Sequence, residues 1–286
     1  MAQLGSAHAW GAWGRRFKSA RPDQFFSVMG KSPKKPLIFL TNDDGFFSEG
    51  IEALSRSLRA LGRVFIVAPD RERSATSLSL TLRRPLRVQR IKPNVYAVDG
   101  TPADCVYLAA QKLLPRKPDL LVSGLNTGPN LGQQDISYSG TVAAALQGSF
   151  LRIPSIALSV IPDVSKKFHF DFAAQIVSQL VKRLLKTKLP QGVTLNVNIP
   201  PPPFKGVKIT SLGQKRYNPE IIEKKDPRQN TYYWIGTGNP VPSGGKDSDI
   251  AAISRGYVSI TPLHTDLTDY RTMKFPQLQR IILFPL

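Results

Sequence analysis

Short apolar stretches alternate with amphipathic helical segments over most of this chain, and this alternation limits the possible folds more than any other feature. The apolar stretches are PLIFL (36–40), VFIVA (64–68), DLLVSG (119–124) and IPSIALS (153–159). Helical periodicity fills the intervals; Ile51, Leu54, Leu58 and Leu61 recur at spacings of three and four residues. Strands that are apolar on both faces and are separated by helices form a parallel sheet that is covered on both sides.

We therefore predict an α/β core with a mostly parallel sheet over residues 36–203. After Pro203 the chain changes to short β-type segments separated by loops rich in glycine and proline: KGVKITSL, TYYWIG and GYVSITPL. This change predicts a β-rich appendage over 204–286 that holds one or two hairpins. Alternation in SLSLTL (77–82) predicts a further, half-exposed strand, and the closing LQRIILFPL (278–286) predicts a last strand.

Composition narrows the class of protein. The net charge of +19 on 286 residues predicts attraction to anions, which include nucleic acids and phosphorylated metabolites. The single cysteine, Cys105, excludes an intramolecular disulfide and favours a reducing compartment. Because no apolar run approaches the length of a membrane span, we expect a cytoplasmic protein without membrane association.

The first 35 residues show no clear periodicity and contain one acid, Asp23, among several basic residues. We predict that residues 1–35 are a disordered or non-native N-terminal extension, with Met29 as an alternative start of translation. Organellar targeting stays open, because transit peptides are also poor in acids.

Two adjacent acids follow the first predicted strand. Asp43 and Asp44 stand directly after LIFLTN, and ligands of open α/β sheets bind beyond the carboxyl ends of the strands. Neighbouring carboxylates repel each other unless a cation lies between them or they point apart. Mg²⁺ and Mn²⁺ prefer oxygen ligands of this kind. The pair predicts a divalent-metal site; alternatively, Asp43 caps the next helix and Asp44 faces water.

A second polar segment, SGTV, enters a predicted helix after the third core strand. Free N–H groups at a helix N-terminus, together with the hydroxyls of Ser139 and Thr141, would bind a phosphate; an ordinary helix cap is the alternative. The glycine loop over 124–132 fits neither a P-loop nor GxGxxG. A metal and a phosphate on one edge of the sheet predict metal-assisted phosphoester hydrolysis, in which either acid accepts a proton from water.

Six segments in order resemble the SurE family of survival-protein nucleotidases over residues 36–269. They are LTNDDGFFSEGI, VAPDRERSATSLSLTL, VDGTPADCV, PDLLVSGLNTGPNLG, YSGTVAAALQG and GYVSITPLHTDLT. The resemblance implies a Rossmann-like core with helices on both faces and a C-terminal hairpin exchanged between subunits of a homodimer or homotetramer. It also implies hydrolysis of nucleoside 5′- and 3′-monophosphates, and of short polyphosphate in some members.

Residue by residue, the resemblance implies one divalent metal ion, Mg²⁺ or Mn²⁺, and a phosphate site. The implied metal ligands are Asp43, Asp44, Ser74 and Asn126. The implied phosphate ligands are Asn130, Ser139, Gly140 and Thr141. Two positions differ from the family pattern: Ala75 replaces the glycine that usually follows the metal-binding serine, and the segment over 133–138 is one residue longer.

The sequence leaves two alternative functions open. A basic nucleotide- or RNA-binding protein without catalysis would use the net charge and would stack bases on Tyr232, Tyr233 and Trp234. An aspartyl-phosphate phosphatase needs a second Asp two positions after the first, and Gly45 stands there. We favour the metal-dependent nucleotidase and expect no specific nucleic-acid partner.

Overall fold

A computed structural model describes residues 35–276 except Lys188, Thr237 and Asn239. Nine strands form one sheet: β1 (Leu37–Thr41), β2 (Arg63–Pro69), β3 (Val88–Lys92), β4 (Val95–Val98), β5 (Leu120–Thr127), β6 (Ser155–Val160), β7 (Val193–Ile199), β8 (Val207–Ile209) and β13 (Val258–His264). Four strands lie outside it: β9 (Gln214–Arg216), β10 (Ile221–Lys225), β11 (Thr231–Ile235) and β12 (Val241–Ser243). The helices are α1 (Glu49–Leu58), α2 (Pro102–Leu108), α3 (Gly132–Tyr138), α4 (Gly140–Phe150), α5 (Phe170–Leu184) and α6 (Asp249–Ser254).

The order of strands in the sheet is β3-β4-β2-β1-β5-β6-β7-β13-β8. The six strands from β4 to β7 in this order are parallel, while β3 and β13 run antiparallel to their inner neighbours. The predicted α/β fold with a mostly parallel sheet is confirmed. Within the described ranges, none of the helices has the length and hydrophobicity that a bilayer crossing requires.

The unbroken apolar run of β1 is explained by burial on both faces. Ile38 and Leu40 pack into a cluster with α1 and α5, while Leu37 and Phe39 pack into a second cluster with α2 and α4. All four side chains are buried because successive residues of a strand point to opposite faces. The centre of the sheet therefore holds the carboxyl end of β1 firmly.

The region after Pro203 divides between the sheet and a projecting arm. Strands β8 and β13 join the main sheet, whereas β9 pairs with β12 and β10 pairs with β11. These two pairs form an arm over residues 214–243. Its large apolar side chains are exposed: Ile221, Ile222, Tyr232, Tyr233, Trp234, Ile235 and Val241.

The strand predicted over 77–82 is wrong. The segment forms turns, and its polar groups bond to loops: Thr81 donates its N–H and its hydroxyl to Asp104, and Ser79 O accepts from the hydroxyl of Thr101. The neighbouring edge of the sheet is already occupied by β3, which pairs with β4. The extension predicted over 1–35, apart from Lys35, and the strand predicted over 278–286 lie outside the described residues.

Candidate active site

The turn after β1 is organised by Asn42. Its Nδ2 donates to Gly45 O at 2.9 Å and to Ser48 Oγ at 2.7 Å, and its Oδ1 accepts from Gly45 N at 3.2 Å. Gly45 adopts a φ of +103°, a conformation that side-chain-bearing residues rarely take. This closed turn fixes the direction in which the next two residues leave the strand.

Asp43 lies between two other loops of the same edge. Its carboxylate Oδ1 accepts a hydrogen bond from the hydroxyl of Thr141, and its backbone oxygen accepts from Arg73 N at 2.7 Å. The side chain is only 4% exposed. The loop after β1, the loop after β2 and the start of α4 therefore meet at one edge of the sheet, through Asp43, Arg73 and Thr141.

Asp44 has a separate partner. The hydroxyl of Thr127, at the end of β5, donates to Asp44 Oδ1 at 2.6 Å. In the part of the chain that the structure describes, no lysine or arginine forms an ion pair with Asp43 or Asp44. The alternative in which Asp43 caps α1 is wrong, because the residue at that cap is Ser48.

The electrostatics of the pair favour a cation. Burial raises the pKa of Asp43 to about 6; the Asp44 charge adds to the rise, and the Thr141 hydrogen bond opposes it. Burial also raises the pKa of Asp44, with a further contribution from Glu72. Two acids whose charged forms are both disfavoured gain most from a shared cation.

The donors near this pair suit a hard cation. The described residues contain no group of three or more histidine, cysteine, aspartate or glutamate side chains arranged to hold a metal. The implied donors instead combine two carboxylates with the Ser74 hydroxyl and the Asn126 amide oxygen. An all-oxygen set of low charge, completed by water, matches the preferences of Mg²⁺ and Mn²⁺.

Ser139 and Thr141 begin α4. The Ser139 Oγ accepts from Val142 N at 3.1 Å, so Ser139 is a helix cap, and its own hydroxyl proton remains able to donate. The first N–H groups of a helix have no partner within the helix. A Cβ added to Gly140 would lie 2.9 Å from Asp43 Cβ, so the absence of a side chain lets this helix end approach the carboxylate closely.

Ser74 and Asn126 are each next in sequence to a residue that bonds one of the two aspartates. Ser74 follows Arg73, which is bonded to the backbone of Asp43, and its hydroxyl donates to Glu72 Oε1 at 2.8 Å. Asn126 precedes Thr127, the partner of Asp44, and donates its Nδ2 to Gly128 O at 2.9 Å. That bond orients the amide and leaves its oxygen for a cation.

Asn130 is held in a buried amide network. Its N–H donates to Asn198 Oδ1, its Nδ2 donates to Ser159 Oγ, and its backbone oxygen accepts from Asn196 Nδ2 and Asn198 Nδ2, at distances of 2.7 to 3.0 Å. A loop residue that is bonded to β6 and β7 in this way is rigid. The network fixes the position from which Asn130 would contact a phosphate.

Known proteins with similar sequences identify the family of this chain. Residues 38–219 match the family model described as survival protein SurE. The chain is 48% identical to "5'-nucleotidase SurE" of Pelobacter propionicus over 240 residues, 83% of this chain and 96% of that protein. It is 46% identical over 241 residues to "5'/3'-nucleotidase SurE" of Proteus mirabilis, 83% of this chain and 93% of that protein.

The fold agrees as well. The crystal structure of the SurE protein from Aquifex aeolicus superposes with a TM-score of 0.73 at 42% identity, covering 86% of this chain and 100% of that one. This chain belongs to the SurE family. The resemblance seen in its six sequence segments is therefore confirmed.

Ala75, one of the two expected departures from the family pattern, has the conformation that glycine favours. It adopts a φ of +57°, in the left-handed region that costs an L-residue roughly 1–2 kcal/mol. The backbone beside Ser74 is therefore strained at this position.

Substitution of Ala75 by glycine is expected to leave the candidate site intact. Ala75→Gly relieves the left-handed strain but increases the conformational entropy of the unfolded chain, so we expect a change in unfolding free energy within about 1 kcal/mol and unchanged kcat/KM. In the matched control, Ala251→Gly in α6, the loss of helix propensity costs about 1 kcal/mol without compensation. Thermal unfolding measures the stability of both variants, and steady-state kinetics measure their kcat/KM. A change of KM in Ala75→Gly alone would show that the alanine shapes the site.

Two residues of this candidate site were not predicted from the sequence. Thr127 orients Asp44, and Glu72 lies beside it and accepts from Ser74. Thr127 follows Asn126 directly, so its place at the end of a strand was the available signal. Glu72 had no signal beyond its position two residues before Ser74.

The longer segment over 133–138 forms most of α3. This helix lies in the chain between Asn130 and Ser139, two of the proposed phosphate ligands.

Proposed function

We propose that this chain is a metal-dependent nucleotidase that removes phosphate from nucleoside monophosphates. One observation carries the proposal: the two aspartates lack a basic partner among the described residues, and Asp43 contacts Thr141 at the N-terminus of α4. A cation site and an anion site that share a hydrogen bond form a suitable centre for phosphoester hydrolysis.

The proposed metal ligands are Asp43, Asp44, Ser74 and Asn126, which would hold one Mg²⁺ or Mn²⁺ ion. When bound, that ion would neutralise charge on the phosphate and acidify the attacking water. The hydroxyl of Thr127 orients the carboxylate of Asp44, and the hydroxyl of Thr141 orients that of Asp43. The Oδ2 atoms of Asp43 and Asp44 accept no hydrogen bond from these hydroxyls. Either of them is available to take a proton from the attacking water.

The phosphate would be held by four residues around the start of α4: Asn130, Ser139, Gly140 and Thr141. Ser139 donates its hydroxyl proton, and the N–H groups of Gly140 and Thr141 point along the helix axis towards the anion, where the helix dipole also favours negative charge. Asn130 contributes from its rigid amide network. Preformed donors of this kind stabilise charge on the phosphate without reorganisation.

The names of the relatives support both 5′- and 3′-monophosphates as substrates, and short polyphosphate is a further candidate because it presents the same terminal phosphate. We also propose that the chain acts as a homodimer or homotetramer in the cytoplasm. The exposed apolar side chains of the arm over 214–243 support an interface between subunits. In this scheme residues 1–35 are an extension, 36–203 the core and 204–286 the appendage.

A substrate panel tests the proposal. We expect release of phosphate from nucleoside 5′- and 3′-monophosphates with Mg²⁺ or Mn²⁺, and loss of turnover when a chelator removes the metal. Readdition of metal should restore the rate. Nucleotide binding by equilibrium dialysis without turnover under any metal would instead favour a binding protein that uses the exposed Tyr232, Tyr233 and Trp234.

A further inference from the structure

Helix α3 joins the arm to the phosphate turn over 139–141. Its first residues contact the root of the arm: Gln133 N donates to Gly213 O at 3.0 Å. Its last residue, Tyr138, directly precedes Ser139, whose N–H donates to Asp135 O at 3.0 Å. A single helix therefore contacts the arm at one end and the proposed phosphate site at the other.

The carboxylate of Asp135 binds two side chains of the arm. Its Oδ2 lies 2.5 Å from Lys215 Nζ, and its Oδ1 accepts from the hydroxyl of Tyr217 at 2.6 Å. The side chains of Lys215 and Asp135 are 12% and 10% exposed, so this ion pair is largely shielded from water. Burial and the hydrogen bond to Asp135 raise the pKa of Tyr217, which keeps its hydroxyl a neutral donor.

A second carboxylate, that of Asp249, connects the start of α3 to the residue that precedes the arm. Asp249, fully buried at the start of α6, accepts from Gly132 N and from Gly213 N, both at 2.8 Å. Gly132, with a φ of +74°, packs against the backbone of Gly213, where an added Cβ would lie 3.1 Å from the carbonyl oxygen. The start of α3 thus cannot shift independently of residue 213.

The C-terminal end of α3 also contacts the loop over residues 74–77, which follows β2. Ser77 N donates to Tyr138 O at 3.1 Å, and Ser77 Oγ donates to Ser137 O at 2.8 Å. Ser77 is three positions after Ser74, a proposed metal ligand. A displacement of α3 would therefore move both the phosphate turn and the loop that carries Ser74.

We propose that Asp135, held by Lys215 and Tyr217, is a positioning residue that couples the arm to the phosphate turn. This inference rests on the proposed function, because it assigns α3 the task of holding residues 139–141 against the substrate. Asp135 touches no reacting atom. The arm sets the placement of α3 through Asp135, and α3 sets the placement of the helix end that receives the phosphate.

Side-chain variants in the arm test the coupling without touching the site. Tyr217→Phe combined with Lys215→Gln removes both partners of Asp135, and Tyr107→Phe is the matched control, a hydroxyl loss at an exposed position on α2. A small misplacement of catalytic groups can cost up to about 10²-fold, so we expect the double variant to raise KM for AMP and the inhibition constant of inorganic phosphate about tenfold. The control should stay within about twofold, as expected for an exposed hydroxyl.

Comparison of KM and phosphate inhibition with the melting temperature separates a positioning role from a structural one. A merely structural role would lower the melting temperature and leave KM and phosphate inhibition unchanged in the folded fraction, and that result would overturn the inference. When Lys215→Arg replaces Lys215→Gln in the double variant, the positive charge is kept. Most of the phosphate affinity should then return. Hydrogen exchange over residues 139–143 is expected to accelerate in the double variant and to stay unchanged in Tyr107→Phe.

Calorimetric titration with inorganic phosphate distinguishes the two proposals. If the parent protein releases no phosphate from any nucleotide, the proposed function fails, while a tenfold weaker phosphate affinity of the double variant still supports the coupling. If the parent is active and the double variant binds phosphate as the parent does, the coupling fails and the proposed function stands.

Discussion

Asp43→Asn is expected to lower kcat/KM for nucleoside monophosphates by roughly 10³-fold or more, since one change removes a metal ligand and a candidate proton acceptor. Asparagine has nearly the same shape, and its Oδ1 can still accept the Thr141 hydroxyl, so the loop should keep its position. Steady-state kinetics at saturating Mg²⁺ or Mn²⁺ measure the loss. Metal titration by calorimetry should show a matching loss of affinity.

The same change is expected to stabilise the metal-free protein. The pKa of Asp43 is raised from 3.8 to about 6, so its charged form costs folding free energy that is absent below pH 4, grows as the pH rises to about 6 and is constant above that. A shift of this size corresponds to about 3 kcal/mol at most at pH 7. Thermal unfolding in chelator between pH 4 and pH 8 should show the variant gaining over the parent as the pH rises.

Asp171→Asn is the control for both effects. Asp171 stands in the first turn of α5, and its side chain is 80% exposed. Among the described residues it pairs only with Arg56, so its replacement should change neither activity nor the pH dependence. The proposal would be contradicted by an Asp43→Asn protein that keeps metal-stimulated turnover within tenfold of the parent. It would also be contradicted by a metal-free stability that falls on substitution.

Gly140→Ala is expected to lower kcat/KM by roughly 10²-fold. The new Cβ would stand 2.9 Å from Asp43 Cβ, 3.0 Å from Asp43 Oδ2 and 3.2 Å from Pro102 Cγ, so the start of α4 must move away from the carboxylate. That movement separates the metal ligand from the phosphate donors. Because the backbone of Gly140 needs no positive φ, the effect arises from space and not from backbone strain.

Gly245→Ala is the matched control, since an added Cβ there meets nothing within 4 Å and the residue has no positive φ. Its kcat/KM should equal that of the parent. Far-ultraviolet circular dichroism and melting temperature establish that Gly140→Ala remains folded. Parent-like activity in a folded Gly140→Ala protein would show that residues 139–141 do not need contact with Asp43, and the proposed centre would fail.

The fold class was predictable because its cause is local. A strand such as β1, which packs Ile38 and Leu40 on one side and Leu37 and Phe39 on the other, must be apolar at every position. The same logic failed for SLSLTL, in which alternation came from polar groups that bond to loops. It also did not indicate the burial of β7: Thr194, Asn196 and Asn198 alternate with apolar residues as in a half-solvated strand, but they are fully buried.

The candidate site was predictable in part. Asp43, Asp44, Ser139 and Thr141 drew attention as polar groups at the ends of strands or the start of a helix, whereas Ser74, Asn126, Asn130 and Gly140 came only from the family resemblance. The partners of these residues were hidden. Thr127 is 83 residues from Asp44, and Asn198 is 68 residues from Asn130, so no spacing along the chain reveals them.

The sequence by itself determined the alternation of strands and helices, the family and the side chains that follow each strand. Those are properties of segments, set by periodicity and by which residues end them. Only the tertiary structure decided that Thr141 bonds Asp43, that Asn196 and Asn198 hold Asn130, and that Lys215 and Tyr217 of the arm reach Asp135. The physical reason is that buried polar atoms must find partners wherever the packed chain places them, and packing sets those distances.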